Sequence, residues 1–82
     1  MRVNMRFAYP GLFEKIPNGT YDVPENSTIQ ECAEKCALDN GTSLVEGWPE
    51  KVLFLKNNKP AEKDETATEN SDIIIIHRIL GG

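Results

Sequence analysis

The side chains of this sequence that could do chemistry are few: two cysteines and one histidine. Cys32 and Cys36 lie four residues apart in a predicted helix, so they share one face, but a helix seldom offers the geometry that a disulfide needs. Together with His77 they supply fewer ligands than the four of a structural zinc site. We therefore expect two buried thiols and no metal site. The sequence shows no Ser-His-Asp, Cys-His or paired-carboxylate set, which argues against an enzyme active site.

The ending Leu80-Gly81-Gly82 is a second candidate for chemistry. Two glycines carry no Cβ, so the backbone could pass through a narrow channel in another protein and present its last carboxylate there. At about 3.3–3.6 Å per extended residue, three residues place that carboxylate about 10 Å beyond a preceding strand. We therefore predict that Leu80 and Gly81 thread into another protein and present the carboxyl group of Gly82 there.

A single domain must position this ending, because 82 residues build only one modest core. Residues 1–9 alternate between apolar and polar side chains, which is typical of a half-buried strand. Further strands are predicted over residues 20–23, 51–56, 59–61 and 73–79. We place the domain at residues 1–79 and a flexible reactive tail at residues 80–82.

One helix is predicted between the second and third strands. Ser27 followed by Gln30 matches a capping box that would start it, and Asn40-Gly41 is a fitting end. The apolar residues that should face the sheet recur at helical spacing: Ile29, Cys32, Ala33, Cys36 and Ala37.

Two connecting segments are predicted to lack regular structure. Residues 42–50 should form a loop with Trp48 folded against the edge of the core, because a helix cannot continue past Pro49 without penalty. Residues 62–71 carry many charges and predict a solvated loop.

The segments 52–55 and 73–76 are apolar without the alternation of a strand that has one wet face. One helix can cover only one face of the sheet, so the other face should offer an apolar patch to a partner. The predicted partner interface, with the outward positions left open, is Leu53, Phe54, Ile74, Ile75 and Arg78. The alternative is that Trp48 or the Leu12-Phe13 segment covers this face.

The chain is acidic, with a formal net charge of −4 at pH 7 and a pI near 4.9. No stretch collects enough Lys or Arg to follow a phosphate backbone, so we expect no nucleic-acid partner. The first residues lack the apolar core of a signal peptide, and the aliphatic run 73–76 is too short to cross a bilayer. We expect a cytoplasmic protein with no membrane partner.

The order strand, strand, helix, strand, short strand, strand predicts an α+β fold of the β-grasp, ubiquitin-like type. In this fold a mixed sheet packs on one main helix, and the first and last strands run parallel at the centre of the sheet. The long route between those two strands provides the crossover that parallel neighbours require.

Within that order, the sequence resembles the ThiS/MoaD family of ubiquitin-like sulfur carriers over most of its length. The matching segments are Phe7-Ala8 with Leu12-Phe13, Leu55-Lys56-Asn57-Asn58-Lys59-Pro60, Asp64-Glu65-Thr66 followed by Asn70-Ser71-Asp72, and Gly81-Gly82. The chain departs from the family pattern at Ala67, where Leu is usual, at Ser71, where Gly precedes the Asp, and at His77-Arg78-Ile79-Leu80, which lacks the common Pro and small residues.

The resemblance implies a carrier that binds no cofactor itself. An adenylyltransferase of the ubiquitin-activating type would use ATP to adenylate the Gly82 carboxylate, and the persulfide of a sulfur donor protein would replace AMP to give a thiocarboxylate. The chain length and the Leu12-Phe13 insertion favour the MoaD branch. In that branch the chain is the small subunit of molybdopterin synthase, and the large subunit receives the tail for molybdenum cofactor biosynthesis.

Three alternatives remain open. The chain could carry sulfur for the thiamine thiazole, or it could be a ubiquitin-like protein modifier whose Gly82 forms an isopeptide bond with lysines of other proteins. It could also be a non-catalytic interaction domain that binds through its apolar sheet face.

Overall fold

Five strands and one α-helix occur in the part of the chain that the computed structural model describes, residues 1–8 and 11–78. In chain order the elements are β1 (Arg2–Ala8), β2 (Gly19–Asp22), α1 (Ile29–Asp39), a 3₁₀ helix (Trp48–Lys51), β3 (Val52–Lys56), β4 (Lys59–Ala61) and β5 (Asp72–His77). The predicted reactive tail, Leu80, Gly81 and Gly82, lies outside the described residues, as does Ile79 at the end of the last predicted strand.

The strands form one mixed sheet in the order β2-β1-β5-β3-β4. The central pair, β1 and β5, is parallel, whereas β1–β2, β3–β5 and β3–β4 are antiparallel. The predicted β-grasp arrangement is therefore confirmed. It places the last described strand between β1 and β3, where both of its edges are paired.

A two-residue turn joins β3 to β4. Asn57 and Asn58 have φ angles of 52° and 68°, the left-handed values that a type I′ hairpin turn requires at both central positions. The Asn57 side chain also accepts a hydrogen bond from the backbone N–H of Asp72 at 3.0 Å, and its own N–H donates to the Asp72 carbonyl at 2.8 Å. This turn thus holds the start of β5 as well as the hairpin.

The capping box of α1 lies one residue later than predicted. Thr28 is the N-cap: its hydroxyl accepts from the N–H of Glu31 at 3.1 Å, and the Glu31 carboxylate accepts from the Thr28 N–H at 2.8 Å. The Ser27 hydroxyl instead donates to the Pro24 carbonyl at 2.7 Å. Two capping-box patterns overlap in this stretch, and the carboxylate of Glu31 suits the positive end of the helix better than the neutral amide of Gln30.

The segment 62–71 is not simply a solvated loop. Most of its side chains are exposed, but the carbonyls of Lys63 and Glu65 accept from the N–H groups of Gln30 and Ile29, each at 2.9 Å. Ala67 is buried, and its N–H donates to the Ser27 carbonyl. Backbone carbonyls of this charged segment therefore accept hydrogen bonds from N–H groups at the start of α1, which have no partner within the helix.

The core lies between α1 and one face of the sheet. All five predicted helix positions are buried, together with inward residues of the strands such as Val3, Ile73 and Ile75. Trp48 is buried as predicted, but Pro49 stands in the first turn of a 3₁₀ helix, where its missing N–H costs no hydrogen bond. The described part of the chain includes no helix of the length and apolarity needed to span a membrane.

Candidate functional site

The outward-facing side chains of β3 and β5 form an apolar surface on the side of the sheet opposite α1. The register pairs Leu53 with Ile76 and Leu55 with Ile74. Leu53 is 44% exposed, and the other three side chains are half-buried. We call these four residues the outer apolar patch.

Two residues of the predicted partner interface lie on the other face. Phe54 and Ile75 pair with each other across the same strands, but they point towards α1 and are 6% and 0% exposed. The prediction is wrong for these two residues, because side chains alternate along a strand and only one parity can face a partner. Leu53 and Ile74 have the outward parity.

The predicted alternative, in which Trp48 or the Leu12-Phe13 segment covers the outer face, is also wrong. The ring of Trp48 packs edge-on against Phe13 and against Phe54, with centroid distances of 5.9 Å in both cases. Since Phe54 belongs to the inner face, these aromatic side chains extend the core on the helix side. They leave the outer apolar patch at the surface.

Charged residues border the outer apolar patch. Arg78 has the same outward parity as Ile76, is exposed, and donates its backbone N–H to the Lys51 carbonyl at 3.0 Å. Arg6 of β1 pairs with Ile74 in the parallel register. Together with Pro60, the residues Leu53, Leu55, Ile76 and Arg78 line a groove of about 360 Å³. The same groove is also lined by Glu50, Glu62 and Lys63, so the patch is an apolar surface bordered by charges of both signs.

The sequence analysis missed Leu55 and Ile76 as members of this surface. Four consecutive aliphatic residues do not show which parity faces the core. The available signal was alternation: once Ile73 is placed inward, Ile74 and Ile76 must point outward. Their partners Leu55 and Leu53 on β3 follow from the β3–β5 register, which only the tertiary structure shows.

The two cysteines are free and completely buried on the inner face of α1, as predicted. Burial raises the pKa of the Cys32 thiol from 9.0 to about 11 and that of the Cys36 thiol to about 12. Nearby acidic groups add to this effect, because they disfavour a second negative charge. At neutral pH both thiols are protonated, and neither can act as a nucleophile.

These pKa shifts predict a loss of stability in alkaline solution. Below pH 9 the thiols are protonated in the folded chain and in the unfolded chain, so their contribution to stability is fully present. As the pH rises from 9 towards 11, the unfolded chain loses these protons first, so it binds fewer protons than the folded chain and the free energy of unfolding falls. Urea unfolding at several pH values in this range would measure the slope.

The control for this prediction is a chain with Cys32→Ala and Cys36→Ala, which should show a flatter dependence on pH. All other ionisable groups are the same in the two proteins, so the comparison subtracts their contribution. Equal slopes in the two proteins would show that the thiols play no part.

Within residues 1–8 and 11–78, no group of three or more His, Cys, Asp or Glu side chains is arranged to hold a metal ion. His77 lies at the end of β5 and is exposed. The described residues thus place an apolar surface beside the end of the central strand. The tail residues Leu80, Gly81 and Gly82, which were predicted to react, follow in the sequence.

No protein-family model matches this sequence, and a search of curated proteins finds no match. Solved structures do match. Small archaeal modifier protein 1 of Haloferax volcanii superposes with a TM-score of 0.69 at 11% identity, covering 95% of this chain and 98% of that one. A Pyrococcus furiosus protein described as a candidate molybdopterin converting factor, subunit 1, gives 0.66 at 15% identity, covering 96% and 99%.

A third match is a ubiquitin-like protein of Caldiarchaeum subterraneum, with a TM-score of 0.53 at 15% identity and coverage of 99% and 100%. At such low identities the likeness concerns the fold, and it spans almost the whole length of each chain. The ThiS/MoaD resemblance seen in the sequence thus agrees with the structural neighbours, and the chain has the β-grasp fold of small ubiquitin-like proteins.

Proposed function

We propose that this protein is a sulfur carrier whose C-terminal glycine, Gly82, is adenylated and then converted to a thiocarboxylate. The observation that carries the proposal is the position of the Gly81-Gly82 ending. It follows β5, the central strand of a β-grasp sheet, by only a few residues. β5 also contributes two of the four side chains of the outer apolar patch.

In this proposal, binding and chemistry belong to different parts of the chain. The outer apolar patch and Arg78 dock the partner, and the tail delivers the reacting carbon. Residues 79–82 could span at most about 14 Å if fully extended, so the reaction takes place inside the bound partner. The buried, protonated thiols leave this chemistry to the terminal carboxyl group.

The proposed reaction has three steps. The Gly82 carboxylate attacks the α-phosphorus of ATP, which forms an acyl-adenylate and releases pyrophosphate. The terminal sulfur of a persulfide on the donor protein then attacks the acyl carbon and displaces AMP. The product is an acyl disulfide that joins Gly82 to the donor cysteine. A second thiol attacks the sulfur of that cysteine, which releases the thiocarboxylate on Gly82 and leaves a disulfide between the donor cysteine and the second thiol. An adenylyltransferase of the ubiquitin-activating type would provide the ATP site.

For the sulfur acceptor we favour molybdopterin synthesis, with the chain as the small subunit of molybdopterin synthase and the large subunit receiving the tail. The neighbour described as a candidate molybdopterin converting factor subunit supports this choice. The thiamine thiazole pathway would use the same reactive end, and it is the alternative acceptor. The adenylation step is common to both pathways.

A second candidate function is that of a protein modifier. Two structural neighbours are described as a small archaeal modifier protein and as a ubiquitin-like protein. A modifier would share the acyl-adenylate but would transfer the Gly82 acyl group to a lysine amine, forming an isopeptide bond. The product at Gly82 therefore distinguishes the two functions.

The test is the mass of the C-terminal peptide after incubation of the full chain with ATP, an activating enzyme from the same cells and a persulfide donor. Replacement of one oxygen by sulfur should add about 16 Da, the same mass that methionine oxidation adds. The two methionines, Met1 and Met5, lie at the other end of the chain, so locating the shift in the C-terminal peptide separates the two events.

Each outcome decides between the functions. An added mass at Gly82 supports the carrier. An unchanged mass, together with Gly82 joined to lysines of cellular proteins, supports the modifier. If neither product forms, and a chain lacking Gly82 still binds its partners and sustains function in cells, the protein is a non-catalytic interaction domain.

A further inference from the structure

A second apolar surface lies on the helix side of the molecule, away from the outer apolar patch. In the described part of the chain, the exposed large apolar side chains are Leu38, Val45 and Leu53, at 69%, 52% and 44%. Only Leu53 belongs to the outer apolar patch. Leu38 and Val45 both line a groove of about 400 Å³ between α1 and the segment 43–49, which we call the α1 groove.

One wall of the α1 groove is a ridge of the helix. Gln30, Glu34 and Leu38 line it, and their spacing of four residues places them in one row along α1. At 1.5 Å per residue this row is about 12 Å long, or roughly two turns of a helix. A helical segment of another protein could pack along it, since rows at this spacing form the ridges of helix–helix contacts.

The other wall is held in place by the core. The Trp48 side chain is buried, and the backbone N–H of Trp48 donates to the Val45 carbonyl at 3.1 Å. The Thr42 N–H donates to the Ala37 carbonyl at 2.9 Å, which ties the start of the segment to the end of α1. The groove is therefore preformed, so a ligand need not order it on binding.

The charged groups at the groove are carboxylates. Glu34 and Glu46 line it, and its lining contains no Lys, Arg or His. Glu34 accepts a hydrogen bond from the Gln30 amide at 3.2 Å, and among the described residues neither carboxylate forms a salt bridge. The nearby cation Lys35 is engaged by Asp39 at 2.6 Å. An occupant with Lys or Arg beside its apolar side chains would complement this border.

We propose that the α1 groove docks a short, basic, amphipathic helix of a partner protein. Apolar side chains of that helix would cover Leu38 and Val45, and its Lys or Arg residues would face Glu34 and Glu46. The four residues of the outer apolar patch lie on the opposite face of the sheet, and the groove beside that patch shares only Pro49 with the α1 groove. The inference does not depend on the chemistry of Gly82.

A nuclear magnetic resonance titration of the full chain tests this inference. The probe is a synthetic peptide of about 14 residues, or roughly four helical turns, made of leucine on one helical face and lysine on the other. A peptide of the same composition in permuted order, without an apolar face, is the control. We expect the first peptide to shift the amide signals of residues 30–38 and 43–48, and the permuted peptide to bind at least about tenfold more weakly.

Matched substitutions locate the site. Leu38→Glu should weaken binding of the amphipathic peptide at least about tenfold, whereas Leu53→Glu on the outer apolar patch should leave it unchanged. Both side chains are exposed, so both variants should fold. The double change Glu34→Gln and Glu46→Gln should weaken binding about threefold or more and reduce its dependence on salt.

Three results would overturn the inference. The first is a shift mainly of amide signals from the outer face of the sheet. The second is equally strong binding of the permuted peptide, which would indicate attraction by net charge alone. The third is a shift of the groove's amide signals when the protein is diluted without peptide. This result would show that a second copy of this chain occupies the groove.

Discussion

Addition of one lysine after Gly82 is expected to lower the rate of acyl-adenylate formation at least about 100-fold, because misplacement of a reacting group by about 1 Å can already cost that much. The added residue moves the terminal carboxyl group by about 3.5 Å and places an amide where the carboxylate would react. An amide nitrogen and carbonyl do not attack the α-phosphorus as a carboxylate does. The measurement is ATP–pyrophosphate exchange catalysed by the activating enzyme.

This variant carries its own control. Removal of the added lysine by a carboxypeptidase specific for basic residues should restore the exchange rate in the same protein sample. Thermal unfolding of the extended chain should match that of the original, since β1 to β5 and α1 are unchanged. Full exchange activity of the extended chain would refute a role for the Gly82 carboxyl group, both in the carrier and in the modifier.

Ile75→Ala is expected to lower the free energy of unfolding by about 2–5 kcal/mol, the usual cost of truncating a fully buried Ile to Ala. Ile75 is 0% exposed between α1 and the sheet, and it pairs with Phe54. Ile74→Ala, one residue away on the outer face, should cost less than about 1.5 kcal/mol, because only part of its apolar surface leaves water on folding. Urea unfolding of the two variants compares the two faces directly.

A charged side chain at position 74 separates an effect on partner binding from an effect on stability. Ile74→Asp should weaken binding of the partner at the outer apolar patch while leaving the fold intact, since this side chain is half-buried at the surface. Exposed Lys59 offers a control outside the patch, and Lys59→Asp introduces the same carboxylate. Equal destabilisation by Ile74→Ala and Ile75→Ala would contradict the register. Unchanged partner affinity in Ile74→Asp would remove Ile74 from the interface.

The regular elements could be predicted because their periods are visible in the sequence. The alternation of residues 1–9 marks β1, and the apolar stripe from Ile29 to Ala37 marks α1. Asn57-Asn58 marks the hairpin turn, since asparagine tolerates positive φ angles better than most residues. In each case the signal comes from neighbours in sequence, which the local backbone geometry brings together.

The errors arise where two local patterns compete. Ser27-x-x-Gln30 and Thr28-x-x-Glu31 both match a capping box, and the choice depends on contacts with residues distant in sequence. The Ser27 carbonyl accepts from Ala67, and the Ile29 N–H donates to Glu65. These contacts hold Ser27 outside the helix. They join residues far apart in the sequence, so no local sequence pattern reveals them. The charged composition of residues 62–71 likewise conceals that their backbone completes the helix start.

The sequence by itself determined the acidic charge of the protein, the strands β1 to β5 and the helix α1, because composition, periodicity and turn chemistry are local properties. The tertiary structure decided which apolar residues form surfaces. Leu53 and Ile74 face outward while Phe54 and Ile75 enter the core, since the pairing of β3 with β5 allows one parity on each face. The α1 groove appears only when Val45 is brought beside Leu38, and packing of Trp48 into the core places it there.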